Sequence, residues 1–174
     1  MPQGLLHVYM GDGKGKTTAA IGLAVRAAGN GVQVVFAQFM KGGTTGEIAA
    51  LQTFKNVRIC RNKKDLGFYK NLSEEEKKEM RAMHNETLQR ILEYKQQGLC
   101  QLLILDELTY AYAYDLLERK IVDSLLGERN ETEIIITGRN PDSSFLEQAD
   151  YITEMKKVRH PFDKGVKARK GVEL

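Results

Sequence analysis

The sequence predicts an α/β protein, a mostly parallel β-sheet with helices on both faces, organised around a phosphate-binding loop. Three observations carry this expectation. Short aliphatic and β-branched runs alternate with longer helix-like segments along the chain. The first run leads into Gly11-Asp-Gly-Lys-Gly-Lys-Thr-Thr18 and then into an alanine-rich segment, the strand–loop–helix order of a phosphate cradle. A later aliphatic run, Leu102–Leu105, ends in two acids, Asp106 and Glu107.

The apolar run Leu5–Met10 is the first strand. In the loop after it, glycines let backbone N–H groups turn inward, and the following helix N-terminus adds positive potential. Lys16 can reach phosphates there, and the Thr17 hydroxyl can ligate Mg²⁺. The usual spacing, G-x-x-x-x-G-K-[ST], is not kept: only Asp12, Gly13 and Lys14 separate Gly11 from Gly15, and Met10 stands where the outer glycine would be. A cradle one residue short should hold a triphosphate differently from an ordinary ATPase. The helix from about Lys16 should stop at Gly29-Asn-Gly31. Gln33–Phe39 reads as a buried second strand leading into a Lys41–Gly46 loop, and Val57–Cys60 as a short third. Ser73, with Glu76 three residues on, makes a capping box for a long helix that ends at Gly98. Met80, Met83, Leu88, Ile91 and Leu92 form its core stripe. Then come the Leu102–Leu105 strand, a helix over Asp115–Leu126, a strand Glu133–Thr137, a short helix Ser143–Gln148 and a last strand Tyr151–Thr153. In such sheets ligands sit at the carboxyl ends of strands. The segments carrying Lys16, Gln38–Gly46, Asp106–Glu107 and Gly138–Arg139 all leave those ends and should converge on one site.

At 174 residues, with 42% hydrophobic and 28% charged residues, the chain suits one nucleotide-binding domain over 1–174. No apolar stretch approaches the roughly 20 residues of a membrane span. The start has neither a basic segment nor an apolar leader, so a cytoplasmic protein is expected. Cys60 and Cys100 lack metal-ligand or Cys-x-x-Cys spacing and read as reduced thiols in or near strands. The net charge of +3 is uneven: from Lys156 to the end seven bases face two acids, a local balance of +5, leaving −2 elsewhere. This tail, about 156–174, lacks the interleaved aromatics of a single-strand platform and reads as solvated or anion-facing.

Asp106 occupies the position that places a carboxylate beside Mg²⁺ in phosphate-loop proteins. Glu107 can serve as a base for water, as a second metal contact, or as a solvent-facing charge. Arg139 has the planar fork suited to phosphate or carboxylate, and it can equally pair with an acid on a neighbouring element. Lys41 and Arg159 lie on loops beside the same edge, where a surface role is as good a reading. His7, His84 and His160 lack metal-ligand spacing and read as structural or surface residues.

With these residues in hand, the chain resembles the ATP:corrinoid adenosyltransferases of the cob(I)alamin, phosphate-loop type (CobA/CobO/BtuR). Gly11–Ala20 matches that family's shortened loop, and Phe36-Ala-Gln-Phe-Met-Lys-Gly42 resembles its second-strand motif. Leu105–Tyr110 resembles its acidic strand end, Ile136-Thr-Gly-Arg139 its penultimate strand, and His160–Arg169 its C-terminal signature. The resemblance implies a RecA-like sheet, a homodimer, and transfer of the 5′-deoxyadenosyl group of ATP to the Co(I) of a reduced corrinoid, with release of intact triphosphate. It also implies a reductase that supplies electrons, a role in adenosylcobalamin synthesis or salvage, and ATP lying reversed in the loop with C5′ presented to cobalt. Residues Gly11 to Thr18, Gln38, Lys41 and Arg139 would bind ATP. Thr17, Asp106 and Glu107 would hold Mg²⁺ or Mn²⁺, and Lys16, Asp106 and Glu107 would serve catalysis. Many members carry an aromatic pair with tryptophan that displaces the corrinoid's lower base; this chain has no tryptophan, and Phe68 and Tyr69 stand in that region. Many also carry an N-terminal extension over the site. Here the first strand starts within five residues of Met1, so a lid should come from elsewhere or be absent. Two other readings stay open: an ATPase or small-molecule kinase using Glu107 as base, and a nucleotide-dependent nucleic-acid binder using the tail, against which its small charge excess argues.

Overall fold

The computed structural model describes residues 3–43, 45–62, 64–169 and 171–172; Thr44 of the predicted loop, and Lys170 and Glu173 of the basic tail, lie outside the described residues. Six strands, β1 (Leu6–Met10), β2 (Val34–Gln38), β3 (Val57–Arg61), β4 (Leu102–Asp106), β5 (Glu133–Thr137) and β6 (Tyr151–Glu154), pair in the order β3-β2-β4-β5-β1-β6. Every pairing is parallel, as a RecA-like phosphate-loop sheet requires. Around it lie α1 (Lys16–Gly29), α2 (Gly46–Leu51), α3 (Glu74–Gln96), α4 (Leu108–Ala113), α5 (Arg119–Gly127) and α6 (Ser143–Gln148).

The two-residue period of a strand splits each central run between the two faces. Val34, Phe36, Leu102, Ile104 and Ile135 pack with Ala20, Ala24 and Ala28 of α1 and Ile48 and Leu51 of α2. Val35, Ala37, Leu103, Leu105, Ile134 and Ile136 pack with Leu88 and Ile91 of α3, Leu108 of α4, Leu125 of α5 and Phe145 of α6. Both faces of the central strands are therefore dry, which explains why these runs are continuously aliphatic rather than alternating. The alanines of α1 let that helix approach the sheet closely, which brings its N-terminus over the strand ends. Cys60 and Cys100 are free and buried, Cys60 within β3 and Cys100 just ahead of β4.

Ser73 and Glu76 form the expected capping box at the start of α3. Its buried face is Met80, His84, Thr87, Leu88 and Ile91, so two polar residues join the predicted stripe, while Met83 and Leu92 are only partly buried. His84 is a structural residue: its Nδ1 donates to the Leu116 carbonyl at 3.0 Å and its Nε2 accepts the Met40 N–H at 3.2 Å. His7 pairs with Glu133 at 2.6 Å. One expectation is corrected, and one helix was not foreseen. The helix predicted over Asp115–Leu126 starts only at Arg119, and α4 lies before it. Asp115 takes a left-handed conformation (φ 54), the Leu116 N–H bonds back to Ala111, and Leu116 and Leu117 turn into the core. α2 follows directly on the predicted loop, burying Ile48 and Leu51; six residues are too few for a helical period to be legible in sequence.

Burial holds His84 neutral in the folded chain, with its pKa pushed down to about 4 from an ordinary 6.5. Between those values the unfolded chain binds a proton that the folded chain refuses, so stability falls as pH drops from 6.5 toward 4. A His84→Gln variant, compared with the parent by urea unfolding at pH 7 and pH 5, should lose less stability over that interval than the parent does; an equal loss in both would exclude His84 as a source of the acid sensitivity.

Candidate nucleotide site

The predicted segments converge. A cavity of about 600 Å³ at the carboxyl ends of the strands is lined by Asp12 to Thr18, Lys41, Glu107 and Arg139, and by the C-terminal segment from His160 onward. A recess of about 760 Å³ at the opposite strand ends, lined by Lys95, Gln101 and Glu128 among others, has no phosphate-binding loop beside it.

Directly beneath the phosphate loop lies Asp106, completely buried. Its Oδ1 accepts from the Thr17 hydroxyl at 2.8 Å and from the Thr137 hydroxyl at 2.6 Å, and its Oδ2 accepts from the Gln38 amide at 3.0 Å. Thr137 also accepts the Glu107 N–H at 3.0 Å. Gln38 is equally buried, and its Oε1 has no partner. Thr17 and Asp106 thus present a hydroxyl and a carboxylate side by side, the hard oxygen pair that a Mg²⁺ or Mn²⁺ bound with phosphate and water requires. Among the described residues no group of three or more His, Cys, Asp or Glu could hold a metal on its own, so an ion here would depend on phosphate oxygens and water to complete its shell. The donor set fits such an ion.

The Lys16 ammonium turns back over the loop, donating to the Gly11 and Gly13 carbonyls at 2.7 Å each. Burial, with the nearby Arg139 guanidinium, holds it below the ordinary lysine range. The loop is braced by the chain leaving β6: the Gly13 N–H donates to the Met155 carbonyl at 2.6 Å and the Lys157 N–H to Asp12 at 2.9 Å. A Cβ at Gly11 or Gly13 would come within 2.6 or 2.5 Å of that Met155 oxygen, so glycine is the residue both positions permit. The Lys157 N–H also holds the Asp12 carboxyl below its usual range.

Glu107 caps α4 from a left-handed conformation and pairs with Lys41 at 3.0 Å. Burial raises its pKa while Lys41 pulls it down; Lys41, with burial working against its charge, is raised by Glu107 and Asp106. Arg139 is exposed on the cavity wall, its charge felt by Asp12, Lys16 and Tyr110. Phe68 and Tyr69 are not among the described residues lining this cavity. They also differ from each other: Phe68 is 84% exposed, whereas Tyr69 stacks on Tyr114 with ring centroids 4.1 Å apart and packs in a small cluster with Leu72 and Met80. Sequence reasoning missed Thr137, although a hydroxyl closing the run Ile134-Ile-Ile was a visible signal. It also missed the Met155 brace, a backbone contact with no side-chain signature.

The chain is similar to known proteins along almost its whole length. The family described as ATP:corrinoid adenosyltransferase BtuR/CobO/CobP matches residues 2–174. The chain is 37% identical to the corrinoid adenosyltransferase of Escherichia coli (strain K12) over 174 residues, 98% of this chain and 86% of that protein. It is 36% identical to corrinoid adenosyltransferase CobA of Salmonella typhimurium, with the same coverage, and 32% identical to that of Pseudomonas aeruginosa over 99% of this chain and 84% of that protein.

Two substitutions test the site. Lys16→Ala should weaken nucleotide binding roughly 10- to 150-fold, the loss of a charge-assisted contact to phosphate, with little change in the unfolding midpoint without nucleotide; calorimetric titration measures the first and thermal unfolding the second. Asp106→Asn should raise the Mg²⁺ concentration needed for half-maximal nucleotide binding while leaving metal-free binding closer to that of the parent. An unchanged Mg²⁺ titration would place the ion elsewhere.

Proposed function

The chain belongs to the ATP:corrinoid adenosyltransferase family, and from that premise we propose that it transfers the 5′-deoxyadenosyl group of ATP to the Co(I) of a reduced corrinoid such as cob(I)alamin. The electron pair of Co(I) attacks C5′, the C5′–oxygen bond breaks, and its electrons leave with intact triphosphate, so that cobalt ends formally as Co(III). No proton has to be removed from the nucleophile. The protein's work is then to align the reactants and to stabilise charge growing on the leaving group.

The observation that carries this reading over hydrolysis is the engagement of Glu107 with Lys41 at 3.0 Å. A base for water needs a free carboxylate aimed at the attacked phosphorus; here the carboxylate holds a cation at the cavity wall. Lys16, the loop amides and Arg139 supply the charge that a leaving triphosphate needs, with ATP reversed in the shortened loop. Thr17 and Asp106, with Glu107 close by, would hold Mg²⁺ or Mn²⁺, which supplies further charge neutralisation. Phe68, exposed where Tyr69 is committed to packing, is the aromatic left free to meet the corrinoid and displace its lower base.

In this reading residues 1–174 act as one adenosyltransferase unit, working as a homodimer in the cytoplasm and receiving electrons from a separate reductase, in synthesis or salvage of adenosylcobalamin. Among the described residues no helix is long and apolar enough to cross a membrane. Lys167 lines the same cavity, which supports reading the basic tail as facing a small anionic substrate.

Product analysis decides between the chemistries. ATP with Mg²⁺ and chemically reduced corrinoid should yield adenosylated corrinoid and triphosphate in equal amounts, with ADP at background and ATP nearly inert without corrinoid. Steady release of ADP in the absence of corrinoid would favour the ATPase or kinase instead.

A further inference from the structure

We propose that His84, which lies on α3 and outside the nucleotide cavity, is a positioning residue for that cavity: it holds a strained turn at Met40 that carries the Lys41 ammonium to the cavity wall. This rests on the reading of the cavity as an ATP site. β2 ends at Gln38, and the Phe39 N–H still donates to the Asp106 carbonyl at 3.0 Å, so the chain stays beside β4 up to that point. It then reverses within three residues. The Lys41 N–H donates to the Phe39 carbonyl at 2.8 Å around Met40 at φ 62, which makes a γ-turn of the rare, positive-φ kind. A residue with a Cβ keeps this conformation only where its surroundings over-determine it. An extended Met40 would carry Lys41 onward along the strand direction. The turned one sets Lys41 against the end of β4, where its ammonium meets Glu107 at 3.0 Å and lines the cavity.

His84 supplies what the turn needs. The side chain is completely buried, its Nε2 accepts the Met40 N–H at 3.2 Å, and its Nδ1 donates to the Leu116 carbonyl at 3.0 Å. A carbonyl can only accept and a backbone N–H can only donate, so a single neutral tautomer, protonated on Nδ1, satisfies both. The ring also stands edge-on to Phe39, the first residue of the turn, with centroids 5.3 Å apart and planes at 78°. Two of the three turn residues are thus gripped from α3, and the third, Lys41, faces the cavity. Without the ring, the hydrogen bond that offsets the strain at Met40 is gone.

The other half of the ion pair is built in the same way. Glu107 is also left-handed, at φ 58, and its N–H donates to the Thr137 hydroxyl at 3.0 Å. Met40 and Glu107 follow the neighbouring strands β2 and β4, and each is held by a side chain from a third element. Backbone strain of this kind gathers at ligand sites, where the geometry it fixes is used. His84 reaches both halves. Through Met40 it sets Lys41, and through Leu116, whose N–H bonds back to Ala111 of α4, it is tied to the helix that Glu107 caps.

The test is a double-mutant cycle read by calorimetric titration with MgATP, using the parent, His84→Phe, Lys41→Met and the two changes together. His84→Phe keeps an aromatic ring against Phe39 and removes both hydrogen bonds. Each single change should weaken MgATP about tenfold. The double variant should bind within about twofold of Lys41→Met alone, because His84 acts through Lys41. Met40→Gly, at ease with a positive φ, should recover about threefold or more of the affinity lost in His84→Phe. Met40→Pro, which cannot take a positive φ, leaves His84 in place and should weaken MgATP as Lys41→Met does, so the turn is read even where His84→Phe does not fold. Losses that add in the double variant, unchanged affinity in His84→Phe, no recovery with Met40→Gly, or parent-like binding by Met40→Pro would each overturn the proposal. A parent protein that binds MgATP and releases ADP without corrinoid would refute the adenosyl-transfer reading, while the cycle still decides the role of His84. A parent protein that binds no nucleotide would refute both.

Discussion

Asp106 is fully buried at the end of β4, and its carboxylate is shared by three other parts of the chain: Thr17 from the head of α1, Gln38 from the end of β2 and Thr137 from the end of β5. Removing a carboxylate from water costs several kcal/mol unless it is paired or well hydrogen-bonded, and each hydrogen bond to such a group contributes about 1.5–3 kcal/mol. The arrangement is therefore stable only when these four segments meet together. The sheet register makes them meet: Gln38 lies directly beside Asp106, and Leu105 pairs with Ile136 so that Thr137 falls next to the carboxylate. Everything at the site hangs from this point. The phosphate loop is held down through Thr17, and Glu107 is aimed through its N–H bond to Thr137.

The shortened loop keeps its shape by borrowing from a neighbour. A backbone carbonyl from the β6 exit takes the Gly13 N–H, and the Lys16 ammonium occupies two loop carbonyls. Fewer amides then remain to face a ligand than in a longer cradle, and more of the work of holding phosphate passes to cations on the surrounding loops. Lys41 and Arg139 stand where that work is done. The same brace joins the loop to the C-terminal segment, which also lines the cavity. Such pre-organisation suits a reaction whose main demand is that two large reactants be held in line.

Much of the fold was legible because its signals are local. The glycine cluster between an apolar run and an alanine-rich helix, the aliphatic strands with acids at the end of one, and the Ser73–Glu76 capping box each sit within a few residues of sequence. The errors fell where local signals conflict with long-range contacts. Asp115–Leu117 carries good helix formers, but burying Leu116 and Leu117 under the Asp115 turn outweighs their propensity. The tail's charge pointed to solvent or an anion, and Lys167 does line the cavity, but nothing local showed that apolar tail residues line it too, because β6 delivers the chain onto the phosphate loop.

The sequence by itself determined the parallel α/β class, the phosphate loop with Lys16 and Thr17, the acids Asp106 and Glu107, and the family resemblance, since each depends on residue types at fixed short spacing. Tertiary structure alone decided that Thr137 shares the Asp106 carboxylate, that Glu107 is engaged by Lys41, that Tyr69 packs while Phe68 stays in solvent, and that Met155 props the loop. These are contacts between segments far apart in the chain. Which of them forms is set by strand order and register, and those follow from burying both faces of the central strands at once rather than from any single stretch of sequence.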